Sequence, residues 1–165
     1  MDVLFGSISK LIKFIGDKIA WLNFIIIILI ALDVISRYLF NTTKAWVLEL
    51  EWQMFALIFL FGMSYAYQED KHVRVDLFYS KMTDRNKKLI DIFGNIFLLI
   101  PWCIVVIITS TKYAYNSYYI MEGSANPNGL PFRFIIKFCI VIGFVLLLLE
   151  GITQIYFKSK SLSKS

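Results

Sequence analysis

Four apolar stretches, over residues 19–40, 46–67, 87–119 and 131–157, fill most of this chain. At 1.5 Å per residue, about 20 apolar residues wound as a helix cross ~30 Å of hydrocarbon, and each stretch meets that length. Within lipid a spanning segment must satisfy its own backbone hydrogen bonds, and runs this long are not barrel strands. The pattern predicts an all-α polytopic membrane protein with four transmembrane helices. Hydrophobic residues make up 58% of the 165 and charged residues 18%, a balance that excludes an ordinary soluble domain. A single membrane domain, 1–165, accounts for the length.

The basic residues set the orientation. Twelve of the 17 Lys and Arg lie at one end of the spans: Lys10, Lys13 and Lys18, then Lys71, Arg74, Lys81, Arg85, Lys87 and Lys88, then Lys158, Lys160 and Lys164. The positive-inside rule places both termini and the 71–84 loop in the cytoplasm and the 120–130 loop in the periplasm. The net charge of +5 therefore reports topology and contact with anionic phospholipid, not a nucleic-acid partner. The N-terminus shows no small-residue cleavage site of a signal peptide. Residues 1–18 instead carry Leu4, Ile8, Leu11, Ile12 and Ile15 at helical spacing, which predicts an interfacial helix bending at Gly16 into the first span. Leu77, Phe78 and Met82 suggest a second short interfacial helix within 71–84, and 158–165 reads as a cytoplasmic tail. Pro101 predicts a kink in helix three, and Pro131 suits the first turn of helix four.

Ionisable groups in or beside the spans are the default functional candidates. Asp33 and Arg37 are four apart and share a helix face, while Glu49 and Glu51 lie just past the short 41–44 turn. This spacing predicts an Arg37–Glu49 pair clasping helices one and two, with Asp33 and Glu51 in the same cluster. Glu150 near the inner end of helix four either pairs with a partner or reaches the cytoplasmic interface. Tyr113, Tyr115, Tyr118 and Tyr119 crowd the outer end of helix three, either as an aromatic belt or as a periplasmic docking face. Cys103 and Cys139 sit at similar depth, which makes helices three and four candidate neighbours without implying a disulfide. His72 is the single histidine, so the chain lacks the ligands for a bis-His haem. No catalytic triad, phosphate loop or dinucleotide fingerprint is present, and the reading is of a non-enzyme with no catalytic, cofactor-binding or metal residues.

Several short strings line up in order along the chain. Ser36-Arg37-Tyr38 closes helix one, and Trp46 and Glu49 open helix two. Gly62 follows, then His72-Val73-Arg74-Val75-Asp76, then Gly129-Leu130-Pro131 before helix four. In these the chain resembles the small membrane subunit of tripartite ATP-independent periplasmic (TRAP) transporters, the DctQ-like family. Two departures stand out: Leu48 beside Glu49 leaves Glu51 as the second acid, and no proline precedes Gly143. The resemblance implies a heteromeric transporter in the bacterial cell inner membrane. In such a machine a periplasmic substrate-binding protein captures an organic acid, and a large elevator-type permease moves it on a sodium gradient. The small subunit would brace that permease, with no cofactor of its own and sodium coupling in the large subunit. The expected cargo is sialic acid ahead of a C4-dicarboxylate, with His72, Arg74 and Asp76 as the cytoplasmic family motif. Two other classes stay open. A small homodimeric multidrug-type exporter would need an acid midway along helix one, whereas Asp33 lies near its outer end; a redox-complex membrane anchor would need more histidine.

Overall fold

The computed structural model describes residues 2–70, 79 and 82–163. Over these the chain forms four long helices: α1 (Asp2–Phe40), α2 (Ala45–Gln68), α3 (Asp84–Tyr119) and α4 (Phe134–Leu162). Each is long and apolar enough to cross a membrane, and no strand occurs among the described residues.

Helix α1 runs unbroken from Asp2 to Phe40 through Gly16, the position at which the sequence suggested a bend from an interfacial helix into the span. The glycine also serves packing. A Cβ built there would lie 2.3 Å from Cγ of Tyr65 on α2, so the missing side chain lets two helices approach closely. Asn41, with φ 50°, begins the turn into α2. Residues 71–78, which hold His72, Arg74, Asp76 and most of the second interfacial helix expected over 71–84, lie outside the described residues.

Thr83 caps α3, its hydroxyl oxygen accepting from the Asn86 N–H at 3.4 Å, and Asp84 stands in the first turn where the helix dipole favours an anion. Midway, residues Asn95–Leu99 form a π-helical turn in which the Ile100 N–H donates to the Asn95 carbonyl. Pro101 explains the placement. It has no N–H to donate, and its ring crowds the carbonyl of Phe97 four residues back, a conflict that a wider turn relieves. The expected kink thus takes the form of one extra residue wound into the helix.

Helix α4 starts at Phe134, three residues beyond Pro131, so the proline shapes the preceding turn rather than the first helical turn. Phe132 in that turn has φ 63°, an uncommon conformation for a bulky residue, and it aims Arg133 inward. The helix continues to Leu162, carrying Lys158 and Lys160 in its last turns where cations complement the dipole.

The helices pack as a row, α1 on α2, α2 on α4 and α4 on α3, with α1 also meeting α4. Two glycines of α4 make the close contacts. A Cβ on Gly143 would lie 2.8 Å from the Leu60 carbonyl oxygen of α2, and one on Gly151 would lie 2.7 Å from Leu99 of α3. Cys103 is buried, Cys139 is half-buried, and neither is in a disulfide. Trp21, Phe24, Phe59, Leu98 and Trp102 point outward, as helices solvated by lipid allow. At one end Asp2 forms an ion pair with Lys160 and accepts from the Tyr156 hydroxyl, while Phe5 stacks on Tyr156 at 4.4 Å. Both termini therefore share this end, and the 41–44 turn and the 120–133 loop share the other.

Candidate functional site

The loop end is organised around one carboxylate. Glu49 stands just past the first turn of α2 with its side chain 4% exposed. Its Oε1 accepts from the Ser124 hydroxyl, from Asn126 Nδ2 at 3.2 Å and from Arg133 Nη2 at 2.8 Å. Its Oε2 accepts from the Leu130 N–H at 2.6 Å. Gly129 is required beside it: a Cβ there would lie 2.2 Å from the Ser124 hydroxyl oxygen and 2.9 Å from Glu49 Oε2. Glu49 and Gly129-Leu130, far apart in the sequence, thus meet in one site. It ties α2 to the loop that launches α4.

The partner differs from the one the sequence suggested. Arg37 forms its ion pair with Asp33 one turn back on α1, and the charge on Glu49 is answered by Arg133. The reason is geometric. Arg37 reaches its i−4 neighbour without leaving its own helix, and its side chain stays 45% exposed, whereas Arg133 is turned directly onto Glu49 by the loop. Glu51 contributes no ion pair among the described residues, and its Oε1 is buried with no hydrogen-bond partner.

A second pair closes the same end. Glu122 binds Lys137 across the loop, and the Arg133 N–H donates to the Glu122 carbonyl at 2.9 Å. The hydrogen bond from Lys137 holds the Glu122 carboxyl below its ordinary value. Lys137 Nζ also lies 3.8 Å from the Tyr113 ring centroid, a cation–π contact. Tyr115 and Tyr118 pack edge-on against Phe138 and Phe134 of α4, at 5.5 and 5.2 Å, and Tyr119 is 79% exposed. Three of the four tyrosines therefore join α3 to α4, and Tyr119 faces outward.

Midway along α4, Glu150 is fully buried and accepts at Oε1 from Gln154 Nε2 at 2.8 Å, while its Oε2 has no partner. At the termini end, Lys158 Nζ and the Tyr79 hydroxyl both donate to Asp91, at 2.6 and 2.9 Å, and Lys88 donates to the Ser161 hydroxyl at 2.7 Å. The Tyr67 hydroxyl donates to Asn95 Oδ1 at 2.5 Å, linking α2 to α3. Sequence reasoning passed over Arg133 and the Asp91–Lys158 pair. A usable signal was the Arg133/Lys137 spacing of four, which puts two cations on one face beneath a loop holding Glu122.

The ion pairs that join different helices lie at the two ends, whereas Glu150 is a lone buried carboxylate near the middle of α4; no group of His, Cys, Asp and Glu suited to a metal occurs among the described residues. Four such helices, each long and apolar enough to cross a membrane, define a multi-pass membrane protein. Residues 26–159 match the family model of the tripartite ATP-independent periplasmic transporters, DctQ component, and the chain belongs to that family. No curated protein matches the chain. The protein is thus a component of a tripartite transporter.

Proposed function

We propose that this chain is the non-catalytic small permease of a TRAP secondary transporter, and that it braces the large elevator-type subunit during sodium-coupled uptake of an organic acid. The observation that carries this reading is the location of polarity. Among the described residues the ion pairs Arg133–Glu49, Lys137–Glu122 and Lys158–Asp91 tie one helix end to another, and Glu150, the buried carboxylate midway along α4, meets only Gln154 of its own helix, so no chain of charged groups runs between the two ends. Such a row of helices suits a fixed wall against which another subunit moves. Its broad outward faces of Trp, Phe, Ile and Leu suit both lipid and a large apolar helical partner. On this reading the membrane is the bacterial inner membrane, with both termini cytoplasmic. The chain itself holds no cofactor, and the sodium sites belong to the large subunit. The loop end, with Tyr119 outermost, faces the periplasmic binding protein that delivers cargo, and sialic acid is favoured over a C4-dicarboxylate.

Reconstitution tests it. Proteoliposomes holding the large subunit with this chain, supplied with binding protein and an inward sodium gradient, should accumulate labelled sialic acid. Vesicles holding this chain alone should accumulate none. Uptake by this chain alone would overturn the bracing role, as would full uptake by the large subunit without it. Uptake of succinate in place of sialic acid would reassign the cargo only.

A further inference from the structure

Helices α2 and α3 do not pack against each other along their length; both lean on α4, and an open groove is left between them. The groove has a volume of 720 Å³ and is apolar, with Phe59 and Met63 on one side, Leu98 and Trp102 on the other, and Leu147 of α4 as its floor. Toward the termini end it runs into a polar pocket of 370 Å³, because Tyr79 and Asp91 line both. The α3 residues along the groove, from Asp91 to Cys103, span about 18 Å at 1.5 Å per residue, close to half of a ~30 Å hydrocarbon core. An apolar trough one leaflet deep, ending in a charged pocket, has the dimensions and polarity of a single phospholipid.

We propose that the α2–α3 groove and its pocket form one seat for a phospholipid with a primary-amine headgroup, its acyl chain lying along Leu98 and Trp102. The leftover hydrogen-bonding groups fall where such a lipid would use them. Asn95, 3% exposed in the groove and one turn along α3 from the shared Asp91, has an Nδ2 donor without a partner, which suits an ester carbonyl of the glycerol backbone. In the pocket, the Lys88 ammonium meets the Ser161 hydroxyl and no carboxylate among the described residues, and Lys87 meets Asp84 only at 3.8 Å; these suit the phosphate. Gln68 on the pocket wall gives its Nε2 to the Ser9 carbonyl at 2.9 Å and keeps a buried Oε1 acceptor unfilled. A buried acceptor in a pocket also lined by the carboxylate of Asp84 asks for a donor with positive charge, which a primary ammonium supplies and a quaternary one does not. The pocket's balance of lysines and aspartates likewise suits a zwitterion better than an anion. The seat does not depend on the transporter reading.

The test uses the full chain, delipidated in mild detergent and titrated with dioleoyl phosphatidylethanolamine, phosphatidylcholine or phosphatidylglycerol, with bound lipid counted by native mass spectrometry. One phosphatidylethanolamine should be retained, at least about ten-fold more tightly than either of the others, since one to two lost hydrogen bonds to charge correspond to that factor. Gly94→Leu should remove most of this binding: Gly94 lines the groove and a Cβ there meets nothing within 4 Å, so the leucine fills the groove without disturbing the protein. Its thermal midpoint should not fall. Lys88→Ala should weaken binding of phosphatidylethanolamine several-fold. Equal retention of phosphatidylcholine or phosphatidylglycerol would overturn the amine headgroup, and so would retention of no lipid. Unchanged binding in a folded Gly94→Leu chain would overturn the groove. If that variant does not fold, the ethanolamine-to-choline ratio on the unaltered chain decides alone.

Discussion

Glu49 shows how one side chain can organise a loop that the bilayer does not. It accepts from Ser124, Asn126, Arg133 and the Leu130 N–H, so replacing it with alanine strips four donors of their acceptor at once. Arg37→Ala removes a single pair confined to one helix, in which the Arg37 side chain is 45% exposed and the Asp33 side chain 5%. Glu49→Ala should therefore lower the thermal midpoint of the purified chain at least about two-fold more than Arg37→Ala does, because it leaves four donors without an acceptor where Arg37→Ala leaves one carboxylate, Asp33, without its cation. Equal losses would mean that the loop is held by something other than this carboxylate. Gly143 makes the complementary argument from space. A Cβ there would press on the backbone carbonyl of Leu60, which cannot swing aside as a side chain tip can. Gly143→Ala should cost roughly 1–3 kcal/mol, read as a fall in thermal midpoint of roughly 2–10 °C. Gly62→Ala, where a Cβ meets nothing within 4 Å, serves as the silent control.

Helix α3 owes its shape to the extra residue at Asn95–Leu99. That residue sets the rotation of the inner segment, which carries Asp91 to Lys158, relative to the outer segment, which carries Cys103 and Ala114 into the core. Deleting lipid-facing Phe97 would make the helix regular and turn one segment by roughly 100° against the other. Loss of folded protein on deletion is expected, while Pro101→Ala, which keeps the residue count, should fold with a near-normal midpoint. A deletion variant as stable as the parent would show that packing does not depend on this register. The 120–133 loop carries a pH prediction. Glu122 is held below its ordinary pKa of 4.5 by Lys137, so its contribution is fully present above that pH and is lost as pH falls through the lower value of the folded chain. Hydrogen exchange at Arg133, whose N–H donates to the Glu122 carbonyl, should speed up relative to the intrinsic rate below about pH 4. Glu122→Gln should show the faster exchange already at neutral pH.

The molecule as a whole has two distinct ends, one holding both termini and one holding both tied loops. In intact spheroplasts, a membrane-impermeant maleimide should label a cysteine placed at Asn126. Cysteines placed at Ser7 or Ser163 should react only after the membrane is opened, with mass spectrometry of the labelled chain as the readout. Labelling of Ser7→Cys from outside would reverse the orientation that the lysines imply. The row of helices, with α4 between α2 and α3, also leaves more apolar surface outward than a closed four-helix bundle would. Such a shape has its lipid- and partner-facing area built in, consistent with membership of a multi-component transporter.

Length and polarity along the chain were enough to determine that four helices cross the bilayer, because hydrocarbon penalises any unsatisfied backbone wherever it occurs and the penalty is read locally. The ordered strings around Arg37, Glu49, His72 and Gly129 were likewise enough to point to the family. Partner choice was not local. Arg37 and Glu49 are twelve residues apart across a short turn, yet Glu49 bonds to Arg133, because only the folded loop, reversed at Phe132, brings that guanidinium onto the carboxylate. Gly16 looked like a hinge for the same reason. One glycine can serve bending or close approach, and which it serves depends on whether a ring such as Tyr65 from another helix lies against it. The π turn was only half legible: Pro101 announced a conflict with the carbonyl four residues back, but that an extra residue resolves it is seen only in the folded helix.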